Sequence, residues 1–317
     1  MSLSKPRLII LVGPTAVGKT ELSIQLAERL NAEIVSADSR LFYRGMDIGT
    51  AKPTLEERAR VRHHLIDISE PNHTISLPLF QQAAQVAIHD INNRGKLPIL
   101  VGGTGQYIRA VVEGWESPAA PPDPFLRKVL ENWSVEIAPH GLHQRLKAVD
   151  PAAAEAIDPQ NVRRTIRALE VIFTTGRHFS SQRQRGEALY SSLTIGVTRP
   201  RPELYQRIDA RIEAMLQAGL VEEVRGLFAR GYSPELPSMS AIGYREFGQY
   251  LLGRLTLEEA VMLIKRQTRI FVRRQANWFK ETDPQIYWFK FEPQIVQNVQ
   301  DLIANWVDSE GLALQID

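Results

Sequence analysis

The strongest constraint on the fold is a glycine-rich run near the start of the chain. It matches the pattern G-x-x-x-x-G-K-S/T and consists of Gly13, Pro14, Thr15, Ala16, Val17, Gly18, Lys19 and Thr20. An apolar, β-branched run from Arg7 to Val12 precedes it. The segment from Glu21 to Leu30 follows, with leucines at 22, 26 and 30 at helical spacing. This order predicts a strand, a phosphate-binding loop (P-loop) and a helix.

The loop has a definite chemistry. Its backbone N–H groups can surround phosphate oxygens, the helix N-terminus adds partial positive charge, and Lys19 adds a full charge. The hydroxyl of Thr20 can hold Mg²⁺. Residues 13–20 therefore predict a site for a diphosphate or triphosphate. The motif does not choose the fate of the phosphates, because kinases, NTPases and enzymes with diphosphate leaving groups all use it.

The remaining apolar runs predict an α/β fold. Short runs at 33–37, 97–101 and 193–197 alternate with helical stretches, which is typical of βαβ units around a parallel sheet. Long amphipathic helices are predicted at 203–230 and 257–280, and a closing helix at 295–307. We expect a P-loop NTPase-like core with a parallel β-sheet flanked by helices.

A second unit interrupts this core. The chain has 317 residues, which is longer than one compact domain usually is, and 44% of the residues are apolar, enough to form a substantial core. The proline-rich stretch 117–124 reads as a linker, and from Phe125 to about Gln184 the pattern is helical without strands. We predict a core formed by 1–117 and 190–317 and an all-helical insertion at 118–189.

Composition excludes several classes. Lysine and arginine total 38 against 36 acidic residues, so overall charge does not require a polyanionic partner. There are no cysteines, which excludes disulfides and thiolate metal sites. No stretch approaches the about 18 apolar residues of a membrane span, so we expect a soluble, cytoplasmic protein.

Two further strand ends predict site residues. Asp38 follows the second strand, where open α/β sheets place their ligand crevice, although a helix cap or turn role is as common for such an aspartate. Gly102-Gly103-Thr104-Gly105 follows the third strand and brings one hydroxyl to the same edge. The absence of an aspartate at the end of 97–101 counts against ATP hydrolysis.

Arg211 stands out within the predicted helix at 203–230. It falls inside an apolar stripe formed by Leu204, Ile208, Met215 and Ala218. A buried guanidinium is costly without a partner, so either a core carboxylate or a bound anion should meet it.

Two basic segments favour a polyanion. Residues 265–280 carry six basic and no acidic side chains, with Ile264, Phe271 and Trp278 predicted on the packed face. A second cluster contains Arg163, Arg164 and Arg167, followed by Arg177, Arg183 and Arg185. Both suit RNA. The adjacent His63 and His64 point in different directions, so no chemistry is assigned to them.

Taken together, the motifs resemble the tRNA dimethylallyltransferase family, also called tRNA isopentenyltransferase, of bacterial type. The resemblance spans nearly the whole chain in order. It is carried by GPTAVGKT (13–20), SADSRLFYRGMDIGTAKP (36–53), HHLIDI (63–68), GGTGQYI (102–108), NVRRTIRALEV (161–171), RIDARIEAML (207–216), AIGYREF (241–247) and RQTRIFVRRQANWFK (266–280).

The resemblance implies an activity and roles for individual residues. The P-loop would hold the diphosphate of dimethylallyl diphosphate (DMAPP) with Mg²⁺, and Asp38 would take the proton of the adenine N6 at adenosine 37, just 3′ of the tRNA anticodon. Thr104 and Arg211 would contact the diphosphate. The tRNA contacts implied, on the anticodon stem-loop, are Asp38, Ser39, Arg40, Leu41, Thr104, Arg127, Gln160, Arg163, Arg164, Arg167, Arg266, Arg269 and Arg273. We expect a monomer.

Three alternatives remain at this level. A related prenyltransferase acting on free adenine nucleotides would share the P-loop and Asp38 but has little use for the basic segments. A P-loop nucleotide kinase would need an acidic metal ligand after a strand. An RNA-binding module would use the P-loop only as an anion site.

Overall fold

In a computed structural model, residues 5–115, 123–182 and 188–309 are described. The chain divides into two compact units. A core unit comprises Met1–Val112 and Leu189–Asp317, and a helical unit comprises Glu113–Ala188. The range predicted for the insertion is 118–189. Most of the predicted linker at 117–124, together with Arg183 and Arg185, lies outside the described residues.

Within the described residues, six strands of the core unit form one parallel sheet in the order β3-β2-β4-β1-β5-β6. The strands are β1 (Arg7–Val12), β2 (Ala32–Ser36), β3 (His63–His64), β4 (Leu97–Val101), β5 (Ser191–Thr198) and β6 (Ile286–Lys290). The predicted fold class, a parallel α/β sheet flanked by helices, is confirmed.

The described residues contain thirteen α-helices. In chain order they are α1 (Lys19–Arg29), α2 (Leu55–Arg60), α3 (Leu77–Asn93), α4 (Gly105–Val112), α5 (Pro124–Glu136), α6 (Ala138–Val149), α7 (Pro151–Glu155), α8 (Val162–Thr175), α9 (Arg201–Gln217), α10 (Leu220–Ala229), α11 (Tyr244–Leu251), α12 (Leu257–Gln275) and α13 (Ile295–Ser309). Within the described residues, none of the helices is both long enough and apolar enough to span a membrane.

The sheet is covered on both faces. Alternate residues of β1 point to opposite sides, so Ile9 and Leu11 join the cluster under α1, α9, α12 and α13, while Leu8 and Ile10 join the cluster under α3 and α4. A strand buried on both faces must be apolar throughout, which explains why β1 has no polar–apolar alternation. The helices thus hold the carboxyl end of β1, and the P-loop that follows it, in a fixed place.

The predicted helix at 203–230 is wrong as a single element. It breaks into α9 and α10 at Gly219, whose φ of 95° lies in the left-handed region that favours glycine. Ile212 is buried on α9, whereas Ala218 lies at the helix end and is exposed. The apolar stripe around Arg211 is therefore shorter than predicted.

The predicted helix at 257–280 ends early, at Gln275. Ile264 and Val272 pack on one face of the sheet, while Phe279 packs with the cluster on the other face. The chain must turn between Val272 and Phe279 to reach both clusters, so Lys280 is not part of the helix. Phe271, predicted on the packed face, is 39% exposed.

Two strands are missing from the sequence prediction. β3 has two residues, too few for a periodic pattern, and pairs with β2 at the sheet edge. β6 pairs with β5 within a region predicted as helical. Its residues, Ile286 to Phe289, are the β-branched and aromatic types that favour strands, but they lie between segments with helical patterns, so sequence patterns do not separate them from the helices.

The helical unit has its own core. Leu130 of α5, Leu142 and Leu146 of α6, and Ile166 and Leu169 of α8 are buried together. The residues predicted to contact tRNA from the insertion lie on α5, on α8 and in the turn before α8.

Candidate active site

Three adjacent strands end at one edge of the sheet and deliver the predicted site residues. β1 leads into the P-loop, β2 leads to Asp38 and β4 leads to the Gly102–Thr104 turn. The strand ends stay paired, since the N–H of Ala37 donates to the carbonyl of Val101 at 2.8 Å and the N–H of Gly102 donates to Leu11 at 3.2 Å. Together with Arg211 of α9, these segments line one cavity of about 1020 Å³.

The P-loop is in place to receive an anion. Gly18 has a φ of 113°, which favours glycine, and no side chain caps the N-terminus of α1. The ammonium of Lys19 donates to the carbonyls of Gly13 and Pro14, each at 2.9 Å. Thr20 is exposed and lines the cavity. The helix N-terminus and the Lys19 charge therefore face the same space.

The protonated form of Lys19 is destabilised in this site. Burial lowers its pKa from 10.5 to about 8, the Asp38 carboxylate opposes that effect, and the positive charge of Arg211 adds to it. An anion entering the P-loop would stabilise the protonated form of Lys19.

Arg211 lies half-buried in the wall of the cavity. No hydrogen bond or ion pair to its guanidinium is found within the described residues. Burial lowers its pKa, the charge of Asp38 acts in the opposite direction, and nearby Arg207 lowers it further. The sequence predicts either a core carboxylate or a bound anion as the partner of Arg211. Among the described residues no carboxylate pairs with it, and the bound anion stays a prediction.

Asp38 lies two residues after β2, and one of its carboxylate oxygens accepts the N–H of Arg40 at 3.0 Å. No donor contacts the other oxygen within the described parts of the chain. Ser39, Arg40 and Leu41 line the same cavity, and the guanidinium of Arg40 donates to the carbonyl of Pro237 at 3.0 Å. One carboxylate oxygen is therefore oriented by the turn while the other is left for a ligand.

A half-buried carboxylate fixes another wall of the cavity. Glu223 of α10 accepts the N–H groups of Asp47 and Ile48, each at 2.9 Å, and of Gly49 at 3.2 Å. It also accepts the hydroxyl of Tyr244 at 2.6 Å. These contacts hold the loop whose continuation, residues 49–53, lines the cavity. Sequence reasoning assigns Glu223 no role, because nothing local marks an acceptor for a loop so distant along the chain.

Two more contacts to the P-loop are absent from the sequence prediction. Arg207 of α9 donates to the carbonyl of Ala16 at 2.9 Å, and the side chain of Gln275 bonds to Thr15. Gln275 is a polar residue in the buried stripe of α12, the signal that marks Arg211 on α9. That signal could have identified it.

The basic face of α12 is partly compensated. Arg269 pairs with Asp209 of α9 at 2.6 Å, and Lys265 pairs with Glu213 at 2.6 Å. Arg266 and Arg273 are exposed, and neither has a side-chain hydrogen bond or ion pair among the described residues. Two of the three arginines predicted to contact tRNA from α12 are therefore uncompensated.

The arginines of the helical unit also divide into two groups. Arg127 and Arg167 donate to the fully buried carboxylate of Glu170 at 2.7 and 2.8 Å. Burial alone would raise the pKa of Glu170, but hydrogen bonds from Arg167 and Arg127 keep it below its usual value. Arg163 and Arg164 are exposed at the start of α8, and Gln160 is exposed in the turn before it. Arg127 and Arg167 thus have a structural role in addition to the predicted contact with RNA.

The histidines that were assigned no chemistry have protein partners. A ring nitrogen of His64 lies 2.7 Å from the carboxylate of Glu33, and Nδ1 of His63 lies 2.8 Å from the carbonyl of Val61. The two rings thus have separate protein partners, and within the described residues they belong to no group of side chains that could hold a metal ion.

These features define an α/β protein of the P-loop class, in which the loop after β1 opens into a cavity of about 1020 Å³. The model of the IPP transferase family matches residues 41–282, and the chain belongs to that family. It is 51% identical to the tRNA dimethylallyltransferase of Roseiflexus sp. (strain RS-1) over 302 residues, which are 95% of this chain and 99% of that protein. It is 53% identical to the tRNA dimethylallyltransferase of Roseiflexus castenholzii, with the same coverage.

Solved structures agree with these relatives. The full-length tRNA isopentenylpyrophosphate transferase from Bacillus halodurans aligns with a TM-score of 0.73 at 41% identity, covering 97% of this chain and 98% of that one. A eukaryotic dimethylallyltransferase acting on tRNA aligns with a TM-score of 0.80 at 26% identity, covering 98% and 81%. The family resemblance stated from the motifs is confirmed.

Proposed function

We propose that this protein transfers a dimethylallyl group from DMAPP to N6 of adenosine 37 in tRNA and releases diphosphate. The observation that carries the proposal is the single cavity of about 1020 Å³ that contains the P-loop, Asp38 and Arg211. Small-molecule sites usually measure about 300–1,000 Å³, so this space suits a diphosphate ester together with an adenine. The names of the relatives favour tRNA over a free nucleotide as the acceptor.

The diphosphate is bound by cationic and backbone donors. The N–H groups of the P-loop surround its oxygens, and Lys19 exchanges its two carbonyl contacts for phosphate oxygens. Arg211, which has no protein partner within the described residues, and the hydroxyl of Thr104 complete the contacts. These donors neutralise charge as the C–O bond to the diphosphate breaks.

Asp38 acts as the general base. N6 of the adenine attacks C1 of the dimethylallyl group, the C–O bond breaks, and the electron pair leaves with the diphosphate. The N6 proton passes to the carboxylate oxygen of Asp38 that lacks a donor, which keeps positive charge from building on nitrogen. The contact from the Arg40 N–H fixes the carboxylate orientation during this step.

Mg²⁺ is expected to bind together with the diphosphate. Among the described residues, no group of three or more His, Asp or Glu side chains could hold a metal ion. Mg²⁺ commonly takes one or two protein oxygens and completes its shell with substrate phosphates and water, and the exposed Thr20 hydroxyl in the cavity fits that pattern. When bound, the ion supplies charge neutralisation on the leaving group.

The anticodon stem-loop is bound by uncompensated arginines. Arg266 and Arg273 offer exposed charges on the core unit, and Arg163 and Arg164 offer them on the helical unit. The target adenosine must leave its stack to enter the cavity, where Asp38 to Leu41 form part of the wall. The proposal includes a monomeric enzyme acting in the cytoplasm.

The test is a transfer assay with Mg²⁺ and labelled DMAPP. An anticodon stem-loop with three consecutive adenosines and free AMP serve as separate acceptors, and the products are digested to nucleosides. Label should appear as N6-dimethylallyl adenosine at the base 3′ of the anticodon. An Asp38→Asn variant should lose about 10²- to 10⁴-fold in kcat, whereas Asp90→Asn, at an exposed aspartate of α3, should not.

The outcomes separate the alternatives. Label in AMP alone would replace the tRNA substrate with a free nucleotide. Consumption of ATP without any prenyl transfer would indicate a kinase. Tight, salt-sensitive tRNA binding with no turnover would leave an RNA-binding protein.

A further inference from the structure

We propose that Gln275 is a positioning residue that ties the tip of the P-loop to the Gly102–Thr104 turn. This inference rests on the proposed function, in which both segments contact the diphosphate. Gln275 is the last residue of α12 and is only 6% exposed. It lies 260 residues from its P-loop partner along the chain.

Both ends of the Gln275 side chain are used. Its Oε1 accepts the N–H of Thr15 at 2.8 Å and the hydroxyl of Thr15 at 3.1 Å. Its Nε2 donates to the carbonyl of Gly103 at 3.1 Å. The donor and acceptor types of these backbone partners fix the orientation of the amide, because N–H must meet oxygen and C=O must meet nitrogen.

The turn after β4 packs closely against the amide of Gln275. A Cβ added at Gly103 would lie 2.2 Å from Nε2 of Gln275 and 3.6 Å from the carbonyl oxygen of Gly13. The turn after β4 therefore rests directly against both the amide of Gln275 and the start of the P-loop. Glycine at 103 is what allows this approach.

The consequence is geometric. Thr104 follows the carbonyl bonded by Gln275, and Ala16 to Thr20 follow the N–H bonded by it. Beyond the last backbone bond between β1 and β4, from the N–H of Gly102 to Leu11, this amide restrains the separation of the two groups of proposed diphosphate ligands. Donors preorganised at fixed separation stabilise a transition state more than donors that must move, and misplacement by about 1 Å costs about 10²-fold in rate. A hydrogen-bonding amide suits this role, because it restrains two backbones without adding charge beside the diphosphate.

A matched control exists at the start of β1, the strand whose other end leads into the P-loop. Asn92 of α3 accepts the N–H of Arg7 at 3.1 Å and donates to the carbonyl of Arg7 at 3.1 Å. It makes the same kind of amide bridge to backbone, but at the first residue of β1, away from the cavity. Loss of either bridge should lower thermal stability, whereas only loss of the Gln275 bridge should alter catalysis.

The experiment compares Gln275→Met and Asn92→Leu in the full-length protein. We expect both variants to melt at lower temperature than the wild type. Gln275→Met should lose about 10- to 100-fold in kcat/KM for DMAPP, with KM for the stem-loop changed by less than about twofold. Asn92→Leu should keep both parameters within about twofold.

A Gln275→Glu variant adds a readout that a structural role would not move. A protonated carboxyl can donate to Gly103 while accepting from Thr15, whereas an ionised one can only accept. Because burial raises the pKa of a carboxyl above its ordinary value of about 4.3, the activity of this variant relative to wild type should rise as the pH falls from 8 to 5.

The failures are distinguishable. A wild-type protein without prenyl transfer would refute the proposed function. An active wild type with Gln275→Met matching Asn92→Leu in kcat/KM, or a flat relative pH profile for Gln275→Glu, would refute the positioning role alone.

Discussion

Replacement of Arg211 by glutamine should separate stability from function. In the ligand-free protein this guanidinium is half-buried, has no hydrogen-bond partner among the described residues, and has a pKa lowered by burial. Removing a desolvated charge at a functional site commonly stabilises a protein by about 0.5–2 kcal/mol. We expect about 1 kcal/mol here, because the aliphatic stem of the arginine also packs. That corresponds to a rise of about 2–4 °C in Tm.

The same substitution should impair binding of the prenyl donor. A hydrogen bond between a guanidinium and a phosphate contributes about 1.5–3 kcal/mol, which corresponds to about 10- to 150-fold in kcat/KM for DMAPP. DMAPP should also raise the Tm of the variant less than it raises that of the wild type, because the shift follows the ratio of ligand concentration to Kd.

The assay combines thermal unfolding, with and without DMAPP and Mg²⁺, with steady-state kinetics on a stem-loop. Arg201→Gln is the control, since Arg201 is exposed at the first position of the same helix. A variant at 211 that melts well below the wild type, or that keeps kcat/KM within about twofold, would show that Arg211 serves the fold and not the ligand.

Three further predictions concern other parts of the protein. The kcat/KM for DMAPP should stay level from pH 7 to 8 and fall about tenfold per pH unit above about 8, because the P-loop then loses the Lys19 proton that the diphosphate requires; a level profile to pH 9.5 would contradict this. Glu170→Gln should lower the free energy of unfolding by about 1–3 kcal/mol at pH 7, measured by urea denaturation against the exposed Glu131→Gln. Because folding lowers the pKa of Glu170, the difference in unfolding free energy between the wild type and Glu170→Gln should shrink as the pH falls below the ordinary pKa of a glutamate. Replacing Arg266 or Arg273 by glutamine should raise KM for the stem-loop and leave Tm unchanged. Each substitution should also reduce by about one the slope of log binding constant against log salt concentration.

The core of the fold and the phosphate site could be predicted because their signals are local. β1 and β4 lie where the apolar runs place them, and the P-loop motif specifies strand, loop and helix within a short stretch. Arg211 could be identified because a charge in an apolar stripe needs a reason. Ala260, Ile264 and Val272 form a similar apolar stripe on α12. Gln275 is the polar residue within it, so the same reasoning identifies Gln275.

The rest depends on contacts between distant segments. Residue 223 meets the loop at 47–49, and β6 joins β5 from almost a hundred residues further along the chain. No pattern near Glu223 marks the backbone donors that it will meet. The division of the basic residues into paired and unpaired arginines is likewise invisible in sequence, because Asp209 and Glu170 must first be brought beside them.

The packing of Trp278 against Gly105 gives the protein an intrinsic optical reporter. A Cβ at Gly105 would lie 2.3 Å from Cγ of the indole, so the ring touches the residue that follows Thr104. The guanidinium of Arg109 lies 5.7 Å from the ring centre, which adds a fixed local field. Because indole emission responds to nearby charge, we expect binding of the proposed diphosphate at the neighbouring turn to change the fluorescence of Trp278, with no attached dye.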